Sequence, residues 1–200
     1  MTDFLPKDYD IPSTTSGNYF KPQSGDNRLR ILDSPIMGGL YWVNAEGEIK
    51  SKDEPPAKGD KPVRLRMGTK VPDEAKPTAK HFWALPIFNY ATESIEIWEI
   101  TQSTIQGALK ELAQDEDWGN PRDYDVNVTR QGEKLQTEYS VIPKPKSVLK
   151  TEPAAEWAKI KTKLNLDTLY SGGNPFEALE ANSTVKSPQE ETNSLDEIGF

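Results

Sequence analysis

The chain has 200 residues, with 24 Lys+Arg against 32 Asp+Glu, a formal charge of −8, no cysteine and a single histidine. Disulfides and thiolate metal sites are excluded, and His81 alone cannot build a histidine cluster. No apolar run approaches the ~20 residues that span a bilayer and no N-terminal signal pattern is present, so the chain reads as soluble and intracellular, with no membrane partner.

Residues 1–16 lack periodicity and read as a flexible arm, with ordered chain expected from Gly17. Residues 27–32 alternate, Leu29 and Ile31 on one face and Arg28 and Arg30 on the other, the pattern of a half-buried strand. Residues 36–43 are apolar around Gly38-Gly39, a strand with a bulge or close backbone approach. A polar loop or hairpin tip covers 44–61, and 63–67 alternates again with Arg64 and Arg66 opposite Val63, Leu65 and Met67. The aromatic run 81–90 (HFWALPIFNY) pairs with 94–100 as a hairpin.

The period then changes. Ile105, Ala108, Leu109, Leu112 and Ala113 form one stripe of an amphipathic helix, with Ser103 and Gln106 as its capping box and its end expected near residues 115–119. Residues 123–130 and 134–142 alternate around Gln131-Gly132-Glu133 as another hairpin. Residues 17–146 are thus expected to form one domain. Residues 147–170 read as a basic linker with a short helix holding Trp157 and Ile160. Residues 171–200 read as a disordered acidic tail, having little apolar surface to offset the ordering entropy. The class is mainly β: strands with one inserted α-helix fit a small OB-type barrel, which exposes one sheet face and its loops to oligonucleotides.

Charge is segregated along the chain. Residues 174–200 hold six acids against Lys186, or −5, and residues 93–141 hold eleven acids against four bases, or −7. Residues 17–80 hold twelve bases against nine acids, or +3, so the whole-chain charge conceals a basic segment. Aromatics interleave with those bases: Tyr19-Phe20-Lys21, Arg28 and Arg30, Tyr41-Trp42, Lys61, Arg64 and Arg66, then Lys80-His81-Phe82-Trp83. Cations spaced for phosphates and rings for stacking are what sequence-tolerant single-strand binding requires. Ordinary strand chemistry, with aromatics in the core and arginines in solvent, is the alternative. Lys21, Arg28, Arg30, Lys61, Arg64 and Arg66 are the candidate phosphate ligands. Tyr41, Trp42, His81 and Trp83 are the candidate stacking platforms, the choice between Phe82 and Trp83 staying open because adjacent strand residues face opposite sides.

The order Asn18-Tyr19-Phe20-Lys21, Gly25-Asp26-Asn27-Arg28-Leu29-Arg30-Ile31-Leu32, His81-Phe82-Trp83-Ala84, Trp98-Glu99-Ile100-Thr101-Gln102, Asp117-Trp118-Gly119-Asn120-Pro121 and Tyr124-Asp125 resembles bacteriophage single-stranded-DNA-binding proteins with an OB fold. The resemblance covers roughly residues 17–143. It implies a replication and recombination protein of the host cytoplasm that coats single-stranded DNA without sequence specificity. It also implies a tail that recruits partners such as polymerase or primase, through Asp196, Glu197, Ile198 and the terminal Phe200. Neither cofactor nor metal is expected, since the chain lacks the cysteines of the zinc-bearing branch.

Two other readings stand beside it. The barrel can be a scaffold for an acidic tail acting as recruiter or DNA mimic, or the tail can serve solubility alone. The carboxylates Asp115, Glu116, Asp117, Asp123 and Asp125 can be taken for a Mg²⁺ site, yet a cap, a turn and a solvated surface explain their local spacing better. Gly38-Gly39 and Gly172-Gly173 lack the Lys-Ser/Thr of a P-loop, and no histidine partner serves a nucleophile, so no enzyme is expected.

Overall fold

Alternating side chains place a strand's residues on opposite faces, and the chain uses this period through most of its length. The computed structural model describes residues 19–183 apart from 52, 53 and 55, and it is mainly β. Eight strands form one mixed sheet: β1 Tyr19–Phe20, β2 Gly25–Ile31, β3 Ile36–Val43, β4 Lys61–Arg66, β5 Lys80–Asn89, β6 Ser94–Ile100, β7 Asp125–Gln131 and β8 Glu138–Pro143. The path runs β1-β6-β5-β2-β7-β8, while β3 pairs with both β5 and β4. Among the described residues only β1 on β6 is parallel. One edge of β5 is shared: Leu40 and Ile36 pair with Lys80 and Ala84, and Ile31 and Leu29 with Ile87 and Asn89. β2 and β3 therefore lie end to end along it. The path is open, ending at β1 and β8, with no ladder between them among the described residues.

Two glycines are required by close approach. A Cβ on Gly38 would lie 1.8 Å from the carbonyl oxygen of Leu65 on β4, so only glycine permits that strand pair. Gly132, at φ +75°, turns the chain out of β7 where a Cβ would meet the Gln136 carbonyl oxygen at 2.1 Å.

The inner face packs Phe20, Leu29, Ile31, Leu85, Ile87, Trp98, Ile100, Val126 and Val128 with Ile105 and Leu109 of helix α1 (Ser103–Gln114). The predicted helix end is borne out, and of the predicted stripe Ile105 and Leu109 are buried, Ala108 and Leu112 half-buried and Ala113 exposed. The capping box is not: Gln102 is the N-cap and makes no side-chain cap bond. Gln106 is buried and donates instead to the carbonyls of Ile100 (2.9 Å) and His81 (3.2 Å), so tertiary anchoring takes the side chain that a cap would have used. Beyond the helix, Asp115 Oδ1 accepts from the Asp117 and Trp118 amides, and Trp118 packs edge-on against buried Tyr124, 5.4 Å between centroids.

The outer face is covered too, and here the expected boundary moves. Helix α2 (Thr151–Ile160) lays Trp157 and Ile160 against Leu32, Phe88 and Ile95. The 3-10 turn Leu166–Ser171 and helix α3 (Glu177–Ser183) bring Leu169 and Phe176 onto Leu40, Phe82, Ala84 and Ile97. Pro175 and Phe176 are buried, Phe176 only 5 % exposed, and Glu177–Ser183 is helical, so the start of the segment expected to be disordered is ordered. The physical cause is that β5 and β6 are apolar on both faces and need two covering layers. The expected arm 1–16 and residues 184–200, with Asp196, Glu197, Ile198 and Phe200, lie outside the described residues. Among those described, no helix is long and apolar enough to cross a membrane.

Candidate functional site

The β3–β4 register sorts the candidate residues between two faces. Leu40 is opposite Arg64 and Trp42 opposite Pro62, so Trp42, Arg64 and Arg66 share the outer face, whereas Tyr41 lies opposite Val63 on the other. Trp42 and Arg64 line an open groove of about 860 Å³ together with Tyr19, Phe20 and Lys21 of the N-terminal segment and with Asn27, Asn89, Glu96 and Glu99, residues drawn from both faces of the sheet. Three of the ten candidates (Lys21, Trp42 and Arg64) thus converge on one surface. Lys61 is close by, sharing with Arg64 and Tyr170 an adjoining depression of about 490 Å³.

The groove's electrostatics are mixed. Arg64 Nε donates to Glu99 Oε2 at 2.7 Å, a pair largely screened from solvent, with side chains 10 % and 20 % exposed. Burial pushes the Tyr19 hydroxyl above its ordinary pKa; Arg64 opposes the shift and Glu99 adds to it. Tyr19 is 40 % exposed, so its ring remains open to a ligand. Lys21 and Lys61 are exposed, and no ion pair among the described residues engages them.

Two candidates are displaced by burial. Arg30 is 3 % exposed, its Nε on Asp125 Oδ1 at 2.6 Å and its Nη2 on the Ser147 carbonyl and hydroxyl at 3.0 Å each. The alternation placing Arg28 and Arg30 together is right, but the segment after β8 crosses that face and seals Arg30. It is a structural ion pair, not a phosphate ligand. Tyr41 is 9 % exposed and turned away from the groove, beneath the side where Val71 approaches Gly39, so it offers no stacking face.

The remaining candidates sit elsewhere. Arg28 is half exposed, bonded to Asp125 Oδ2 through Nε (2.8 Å), with its guanidinium 4.5 Å over the Tyr90 ring. Tyr90 donates its hydroxyl to Asp125 Oδ1, and burial, then Asp125, raises its pKa. Arg66 lies 4.4 Å over the Tyr170 ring and 3.3 Å from Asp167, while the Tyr170 hydroxyl donates to the Met37 carbonyl. The Phe82/Trp83 question resolves: Phe82 is fully buried, and Trp83 is half-buried on the opposite face, its Nε1 donating to exposed His81 Nε2 at 2.9 Å. With Met37, Leu109 and Arg122, Trp83 lines a separate apolar cavity of about 320 Å³. His81 and Trp83 therefore form a second aromatic site, apart from Trp42.

Sequence reasoning left out Tyr19, Glu96 and Glu99. Tyr19 was legible from its neighbours Phe20-Lys21; Glu96 and Glu99, three residues apart in SIEIWEI, lie on opposite faces of β6, and only the folded groove shows that both line it. Among the described residues no group of three or more His, Cys, Asp or Glu could hold a metal ion. Of the acidic cluster, Asp125 is held by two arginines and Asp115 closes the turn after α1. No protein-family model, no curated protein and no solved structure matches this chain.

Proposed function

We propose that this chain is a single-stranded-DNA-binding protein of the bacteriophage type, built on an OB-type barrel. It protects exposed strands during phage replication and recombination in the host cytoplasm. The observation that carries the reading is the groove in which two aromatics, Tyr19 and Trp42, lie beside two cations, Lys21 and Arg64. Stacking on such rings contributes about 1–3 kcal/mol per base and tolerates any sequence, while the cations follow the phosphates. The barrel reading is supported by one core drawn from β1, β2, β5, β6 and β7, with Tyr139 and Val141 of β8 against it and α1 packed on it between β6 and β7. Recruitment of polymerase or primase belongs in this proposal to Asp196, Glu197, Ile198 and Phe200.

Titration with oligo-dT, read by tryptophan fluorescence, tests it. Trp98 is buried and Trp42 is the one tryptophan that lines the groove, so quenching should come mainly from Trp42 and fall sharply in Trp42→Phe, with any remainder assigned to Trp83, Trp118 and Trp157. Binding should weaken with salt, at a log–log slope of about −0.7 per phosphate neutralised. Equal affinity for duplex, or a flat salt response, rejects the proposal.

A further inference from the structure

One wall of the groove carries a charge that a polyanion site does not need. Glu96 is 5 % exposed, and no ion pair among the described residues engages it. A buried carboxylate without a cation is costly, so what its oxygens accept is informative. Oε1 takes three donors: the Thr92 hydroxyl at 2.6 Å, the Ser94 hydroxyl at 3.1 Å and the Asn89 amide at 3.1 Å. Oε2 takes only the same amide, at 3.3 Å. Most of the bonds that fasten the β5–β6 turn therefore fall on Oε1, and Oε2, with one long bond, keeps acceptor capacity in a residue that lines the groove with Tyr19, Trp42 and Arg64.

We infer that Glu96 is a base-reading residue: Oε2 accepts a hydrogen bond from the exocyclic amine of a nucleobase held in the groove. This rests on the single-strand reading above. A phosphate is repelled by the carboxylate, so the group that fits beside it is a base edge with a donor. Cytosine offers N4–H₂. Thymine has no amine, only one N–H between two carbonyls, and its carbonyls are repelled. One position in an otherwise sequence-tolerant path then favours an amine-bearing base.

Oligo-dC and oligo-dT of twelve residues, titrated at pH 7.5, separate the outcomes, since both are pyrimidines and in either homopolymer every register fills the subsite. Wild-type protein should bind dC12 about tenfold tighter than dT12, the size of one good directional contact to a base. Glu96→Gln should bring the ratio within twofold. Independently of how that variant folds, wild-type protein should lose the preference for an N4,N4-dimethylcytosine dodecamer, which has no amine hydrogens. Equal affinity for dC12 and dT12, or a preference that survives dimethylation, overturns the role of Glu96 and leaves the single-strand reading intact. If neither homopolymer binds, the single-strand reading fails and this inference fails with it.

Discussion

Asp125→Ala is the most direct test of how charge is divided between fold and function. The carboxylate is 1 % exposed and holds buried Arg30 through Oδ1 and Arg28 through Oδ2, with the Tyr90 hydroxyl as a third donor. Removing it leaves the Arg30 guanidinium buried without a counter-charge, which costs about 3–5 kcal/mol. Arg28 adds little, because its side chain is 54 % exposed and such pairs contribute at most about 1 kcal/mol. At roughly 2–4 °C per kcal/mol for a chain of this size, Tm should fall by about 6–20 °C in a thermal melt followed by circular dichroism. Pairing Arg30→Met with Asp125→Leu should recover much of the loss, since apolar residues tolerate the site that a lone charge does not. Oligo-dT affinity, measured well below Tm, should stay within twofold of wild type in the double variant. The reasoning is refuted if Asp125→Ala melts within about 2 °C of wild type. It is refuted equally if Arg30→Met keeps full stability and loses DNA affinity, for Arg30 would then be a ligand after all.

Three further outcomes follow from particular contacts. Gly38→Ala should cost about 1–3 kcal/mol in urea unfolding, because its Cβ would sit 1.8 Å from the Leu65 carbonyl oxygen; Gly39→Ala, whose nearest atom is 3.4 Å away, should be milder, and equal effects would contradict the geometry. Trp42→Ala should weaken oligo-dT binding roughly 5- to 150-fold with the salt slope unchanged, whereas Lys21→Ala should flatten that slope by about 0.7; a slope change in the first or none in the second would reverse their roles. Burial pushes the Asp33 carboxyl up, but the Ser34 amide, Lys161 and Arg122 outweigh it and hold its pKa below the usual value. Its stabilisation is therefore present above the ordinary carboxylate pKa of about 3.9 and lost as pH falls through the lower folded value, so Asp33→Asn should flatten the acid limb of a stability profile below about pH 4.

Local periodicity was enough for the strands around Leu29 and Leu65, for the stripe Ile105, Leu109 and Leu112, and for the two hairpins, because each depends on neighbours two to eight residues away. The outer layer was missed for the opposite reason. Nothing local to Leu169 or Phe176 shows that Phe82 and Ala84, nearly ninety positions earlier, present an uncovered apolar face. The clue was in β5 itself, whose unbroken apolar run from Phe82 to Phe88 is the pattern of a strand buried on both sides, and a chain containing one must supply a second cover. Trp83, by contrast, could not be told from Phe82 without a register, since a shift of one residue exchanges them.

The arginines mark where sequence reading of the site stops. All four assigned to phosphates meet a carboxylate: Arg28 and Arg30 on Asp125, Arg64 on Glu99, Arg66 on Asp167. These partners are 35 to 101 positions away, so a charge count along the segment registers the cations and misses their neutralisation. Lys21, Lys61 and Lys80 are exposed and have no carboxylate partner among the described residues. The difference matters chemically. An arginine fork fixes a carboxylate or phosphate in one orientation, while a lysine ammonium on a flexible stem follows a charge wherever the backbone carries it. In the groove, Arg64 shares its guanidinium with Glu99 while Lys21 is uncommitted among the described residues, so the lysine is the cation suited to tracking a strand, and any discrimination among bases then falls to the walls, to Tyr19, Trp42 and the open oxygen of Glu96.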